Sequence, residues 1–180
     1  EANLLGISAI GTDINPLARL IAKTKTTKID LQILDLFLHD FSNYLFSINF
    51  GVKDSGSIII PEVKNIDFWF SKDVQQKLGI ILGYIEGINN LDVKNFFKVA
   101  FSETVRESSY VKNGEFKLVK DKNTKRKDDI DVFGLMISKL SRNKQGLLEF
   151  IKECEHKVSS KIYDFNTVNA IPEKLIRPNS

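Results

Sequence analysis

The sequence predicts an α/β fold, a parallel sheet interrupted by a large, mainly helical insertion. Three observations predict it. Ile7–Asp13 is a short apolar run that ends in an acid and is followed at once by a helix start, the pattern of a buried parallel strand feeding a helix. A long middle block then repeats apolar residues at helical spacing. Near the end, Lys161–Phe165 returns to a strand-like run. Hydrophobic residues make up 42% and charged residues 27%, with 13 Phe, so an ordinary globular core is available.

The elements follow in order. Glu1–Leu5 reads as the end of a helix closed by Gly6, whose missing Cβ suits a left-handed cap. After the Ile7–Asp13 strand, Asn15 is a good N-cap and Pro16 a good first helical residue. That helix runs to about Thr26. A second helix, Ile29 to about Ile48, places Leu31, Leu34, Phe37, Leu38, Phe41 and Leu45 on one face. Gly51–Gly56 is a break, and Ile58–Ile60 an extended entry. Ser71 caps a helix from Lys72 to about Asn89, and Asp92 caps the next, from Val93 to about Ser108. Val111–Lys127 is polar and basic and holds the hairpin-type dipeptide Asn113-Gly114. A long helix runs from about Ile130 to Lys157, and Ala170–Leu175 reads as a helical turn. No internal repeat is present.

Composition excludes several classes. The single cysteine, Cys154, allows no intrachain disulfide and no cysteine-built zinc site, and it fits a reducing cytoplasm. Histidines number two, His39 and His156, and stand far apart in the sequence. No run of 18 apolar residues occurs, so no membrane span is expected. The net charge of +3 is too mild to decide on nucleic acid by itself. Ser102 and Glu103 have no neighbouring histidine, which argues against a hydrolase. The chain starts without Met and is expected to be an internal piece of a longer protein.

The stretch with chemistry in it is Gly11-Thr12-Asp13-Ile14-Asn15-Pro16-Leu17-Ala18. In open α/β sheets, ligands sit at the carboxyl ends of the strands. A carboxylate there offers two charged acceptors, which match the vicinal diol of a ribose. Ile14 would pack beside the base. The competing reading of Asp13 is a strand-end residue that only caps the Pro16 helix. A dinucleotide-binding dehydrogenase uses a similar acid, but its glycine-rich loop would lie upstream of Glu1.

The block Glu1–Arg19 resembles the stretch after the glycine-rich cofactor loop of DNA adenine-N6 and cytosine-N4 methyltransferases. There, a helix ending Glu-Ala-x-x-x-Gly leads into a strand ending Asp-x-Asn-Pro-x-Ala. Phe68-Trp69-Phe70-Ser71 and Phe101–Ser109 are similar to segments that follow in some of these enzymes. The resemblance implies a partial Rossmann-like methyltransferase sheet with a large, mainly helical insertion. Residues 1–30 and 158–180 would belong to the sheet domain, and 31–157 to the insertion, a candidate DNA-contact region. S-adenosylmethionine would be the cofactor and double-stranded DNA the partner. Asp13 would bind the cofactor's ribose, Ile14 its adenine ring and Asn166 the adenine amino group, with Asp164 the competitor for that last role. The family's catalytic motif, a Pro-Pro pair followed by an aromatic residue, is not in the chain, since its four prolines are isolated. No catalytic residue is therefore expected within these 180 residues.

Seven cations in Val111–Lys127 (Lys112, Lys117, Lys120, Lys122, Lys125, Arg126, Lys127) stand against Glu115 and Asp121, a net +5. Such a segment is either a solvated loop or a source of phosphate contacts. Lys120, Lys122, Lys125, Arg126 and Lys127, with Arg106 at the preceding helix end, are the candidate nucleic-acid contacts. Trp69 is expected in the core. Two alternatives stand beside the DNA reading. One is an RNA or small-molecule methyltransferase with the same cofactor strand; the other is a DNA-binding helical module without cofactor.

Overall fold

The computed structural model describes residues 1–52, 56–112, 117–122, 129–154 and 158–169. It is mostly helical and carries a small parallel sheet. A single-turn 3-10 helix, Ala2–Leu5, ends at Gly6, which takes the left-handed conformation (φ 72°). Strand β1 (Ala9–Thr12) follows, then α1 (Pro16–Lys25), α2 (Leu31–Asn49), α3 (Ile66–Trp69), α4 (Lys72–Glu86), α5 (Leu91–Ser108), α6 (Val132–Glu153), β2 (Ser160–Tyr163) and a 3-10 turn at Thr167–Asn169. β1 and β2 run parallel, with Ala9 opposite Ser160 and Thr12 opposite Tyr163.

The chain divides into two compact units. One comprises residues 1–28 and 144–180, the other residues 29–143. α6 begins in the second and ends in the first.

In the first unit the caps act as expected. The Asn15 side chain accepts the Leu17 N–H at 2.9 Å, and Pro16 opens α1 without wasting a donor. Behind the strands, buried Asn3 accepts from the Ser160 hydroxyl at 2.8 Å, and the Cys154 thiol lies 3.4 Å from the Asn3 carbonyl. The Lys28 ammonium donates to the Cys154 carbonyl, satisfying an acceptor left over at the C-terminal end of α6.

The second unit is a helical bundle. Leu34, Phe41 and Leu45 of α2 are buried, as are Val74, Leu78, Ile81 and Ile85 of α4. Val93, Phe96, Phe97 and Ala100 of α5 join them, with Val132, Phe133, Met136 and Leu140 of α6. Phe41 meets Phe97 edge-on at 5.4 Å and Tyr84 at 4.8 Å. The Tyr84 hydroxyl donates to Asp40 at 2.7 Å, and its half-burial next to that carboxylate pushes its pKa well above the ordinary tyrosine value. Glycines on α4 let the backbone of Ser57–Ile60 lie directly on the helix, and the Ile59 N–H donates to the Gly79 carbonyl at 3.0 Å.

Three expectations are corrected here. The α5 cap is Asn90, not Asp92: its amide oxygen accepts the N–H groups of Asp92 (3.1 Å) and Val93 (3.0 Å), which leaves Asp92 as a first-turn acid favoured by the helix dipole. Trp69 is half-buried rather than core, and its neighbour Phe68 is 50% exposed. The last long helix is shorter than read, ending at Glu153. The Asn113-Gly114 turn and the Ala170–Leu175 turn lie outside the described residues. The sheet has two strands among the described residues, so it establishes a parallel α/β pairing and no larger order.

Candidate functional site

The carboxyl ends of β1 and β2 lie side by side, and the candidate cofactor residues stand there. The Asp13 N–H donates to the Tyr163 carbonyl at 3.2 Å, extending the ladder by one residue. Asp13 then turns its carboxylate back on the chain: Oδ1 accepts the Asn15 N–H at 2.7 Å. This Asx turn orients the side chain without exhausting it, because a carboxylate has about four lone-pair sites. Asp13 is exposed, and its Oδ2 has no partner among the described residues. Ile14 beside it is 64% exposed. A charged acceptor next to open apolar surface is what the diol and base of a nucleoside require.

The end of β2 contributes Asp164 and Asn166, both exposed. The Asn166 amide oxygen accepts the Val168 N–H at 3.0 Å and retains one lone pair. Arg19, in the first turn of α1, joins the two strand ends. Its guanidinium donates to the Asp13 carbonyl at 2.8 Å and pairs with the Asp164 carboxylate at 2.9 Å. The sequence reading missed this residue. A signal for it existed: a cation in the first turn of a helix opposes the helix dipole and calls for a compensating partner.

The basic segment is partly described. Val111 and Lys120 form an antiparallel bridge, flanked by Lys112 N–H to Val119 C=O (2.8 Å) and Asp121 N–H to Tyr110 C=O (2.7 Å). The arms of a hairpin are therefore present. Lys120 sits over two rings, 4.3 Å from the Phe68 centroid and 4.8 Å from that of Tyr110. Arg106 is exposed and its guanidinium has no partner among the described residues, and Lys122 is exposed on the hairpin. Lys125, Arg126 and Lys127 lie outside the described residues.

Other charged groups have structural partners. Arg142 and Lys139 of α6 pair with Glu103 of α5, and Lys139 also with Glu107 at 2.5 Å. Arg142 first, then Lys139, hold the Glu103 carboxyl down at about 2. His39 is exposed on α2, His156 is outside the described residues and Cys154 is buried. Among the described residues, no group of three or more His, Cys, Asp or Glu could hold a metal ion, and no helix is long and apolar enough to cross a membrane.

No family model and no solved structure matches the chain. Two curated proteins do. The Type II methyltransferase M.MvaI of Kocuria varians is 32% identical over 154 residues, which are 84% of this chain and 34% of that protein. The Type II methyltransferase M.MjaII of Methanocaldococcus jannaschii is 31% identical over 133 residues, 71% of this chain and 22% of that protein. The chain thus spans about a third or less of the relatives it matches. Over that stretch, and in line with the block that ends Asp13-Ile14-Asn15-Pro16-Leu17-Ala18, the chain is related to the Type II methyltransferases.

Proposed function

We propose that the chain is a segment of a site-specific DNA methyltransferase, which moves a methyl group from S-adenosylmethionine to an exocyclic amine of adenine or cytosine. The observation that carries this reading is Asp13: an exposed carboxylate with an unused oxygen at the end of a parallel strand, in a chain related to Type II methyltransferases. Asp13 accepts the ribose diol, and Ile14 offers its apolar surface to the adenine ring. Asn166 receives the adenine amine on its remaining lone pair, with Asp164 the competing acceptor. S-adenosylmethionine, when bound, supplies the electrophilic methyl group. No catalytic residue is assigned within these 180 residues.

The two strands belong, in this reading, to a larger Rossmann-like sheet. Two-stranded sheets are marginal alone, and Ile7 and Ile10 on or beside β1 are 56% and 51% exposed. Both facts support further strands. The helical unit is the insertion, and Arg106, Lys120, Lys122, Lys125, Arg126 and Lys127 give it affinity for DNA phosphates. The target base leaves the duplex to reach the methyl group.

The test uses the full-length protein with tritiated S-adenosylmethionine, offering duplex DNA, RNA and free nucleosides in parallel. Label should enter duplex DNA, and digestion should release N6-methyladenine or N4-methylcytosine. Label confined to RNA or small molecules, or recovered on carbon 5 of cytosine, overturns the proposal.

A further inference from the structure

We infer that Arg19 is a positioning residue of the cofactor site, locking the ends of β1 and β2 into one binding surface. The inference rests on the proposed cofactor role of Asp13 and goes beyond it. Three observations carry it. The guanidinium spans two acceptors on different strand ends, the Asp13 carbonyl at 2.8 Å and the Asp164 carboxylate at 2.9 Å. It uses its backbone as well, since the Arg19 N–H donates to the Asn15 carbonyl at 3.1 Å and fixes Arg19 in the first turn of α1. And its side chain is 22% exposed whereas that of Asp164 is 70% exposed, so the arginine is the more enclosed member of the pair.

The consequence follows from geometry. Arg19 takes the carbonyl of Asp13 and leaves the carboxylate alone. The Asx turn to Asn15 then aims that carboxylate. On the other strand end, Arg19 holds Asp164, two residues before Asn166, and so sets where the β2 loop leaves the sheet. Two carboxylates, Asp13 and Asp164, stand on adjacent strand ends, and Arg19 pairs with the second of them. A planar fork with separate donors can serve a carbonyl and a carboxylate at once, which an ammonium does less well. Arg19 touches no ligand atom in this scheme; it acts through Asp13 and Asp164.

The experiment is a double-mutant cycle on the full-length protein, with S-adenosylhomocysteine as the calorimetric probe and circular dichroism as the folding control. R19A should bind about tenfold more weakly than the parent, a loss in the range of one charge-assisted hydrogen bond. R19K should recover part of the loss. D164N should also weaken binding, and R19A/D164N should be no weaker than the worse single variant, because the two residues act as one unit. If R19A is misfolded, D164N and R19K decide: both at parental affinity overturns the role of Arg19. Folded R19A at parental affinity overturns it too, as do losses that multiply in the double variant. A parent that binds no S-adenosylhomocysteine overturns the cofactor reading itself, and the role of Arg19 with it.

Discussion

Gly83→Ala should destabilise the helical unit, against what helix propensity alone predicts. Alanine in place of glycine in a helix interior normally gains about 1 kcal/mol. At Gly83, however, an added Cβ would stand 1.7 Å from the Ser57 carbonyl oxygen and 2.9 Å from its carbon. Those are backbone atoms and cannot swing aside as a side chain can, so the Ser57–Ile60 segment must lift off α4. Lifting it exposes Ile58 and Ile60, each now 44% exposed. Recovering full exposure of two half-buried isoleucines costs about 2 kcal/mol, at ~1.5–3 kcal/mol for complete burial of each. The Ile59 N–H to Gly79 bond is lost as well, worth about 1 kcal/mol. Subtracting the propensity gain leaves a net loss of about 2 kcal/mol. Urea unfolding of the 180-residue chain, followed by far-ultraviolet circular dichroism, measures it, and limited proteolysis reads the release of residues 56–60. A variant about 1 kcal/mol more stable than the parent, with that segment equally protected, would refute the reasoning.

Glu103 predicts an acid dependence. Its folded carboxyl is held at about 2, below the ordinary value, by Arg142 and then Lys139, so the stability it adds is present above the ordinary carboxylate range and is lost as pH falls toward 2. About a third of the side chain is exposed, so solvent screening reduces the effect to about 1 kcal/mol; E103Q should show a flatter stability profile in that window, and an unchanged profile would count against the ion-pair account. Replacing Lys120, Lys122, Lys125, Arg126 and Lys127 together with Ala should weaken DNA binding by the full-length protein and flatten its salt dependence by a slope of roughly 0.9 per lost phosphate contact. Cofactor affinity should stay at the parental value in that variant, and an unaltered salt slope would make the segment a solvated surface.

Local chemistry explains what was legible in the sequence. Asn15-Pro16 and Ser71 announced their helices because a cap and its N–H partners lie within three residues. The long stripes of α2, α4 and α5 gave the buried faces, since 3.6-residue periodicity is a one-dimensional signal. Asn90 and Asp92 were confused because both residue types favour a helix start, one as cap and one as first-turn acid. The four-residue α3 is too short to show a period. Two features needed three dimensions. The Arg19–Asp164 pair joins residues far apart in the chain, and the seat of Lys120 over Phe68 depends on how the hairpin returns to α3 through the Tyr110 N–H and the Trp69 carbonyl. At the candidate site, the place of Asp13 just after a strand was readable, and the bond from the Asn15 N–H to its Oδ1 is close to the helix-start role that the sequence also allowed for it.

The central claim is that Asp13 holds a cofactor ribose, and calorimetric titration of S-adenosylmethionine into the full-length protein and its D13A variant tests it most directly. Hydrogen bonds to a charged group are worth about 1.5–3 kcal/mol, so the account predicts a loss of affinity on the order of tenfold or more in a variant that still folds. Parental affinity in folded D13A would contradict it and remove Asp13 from the site.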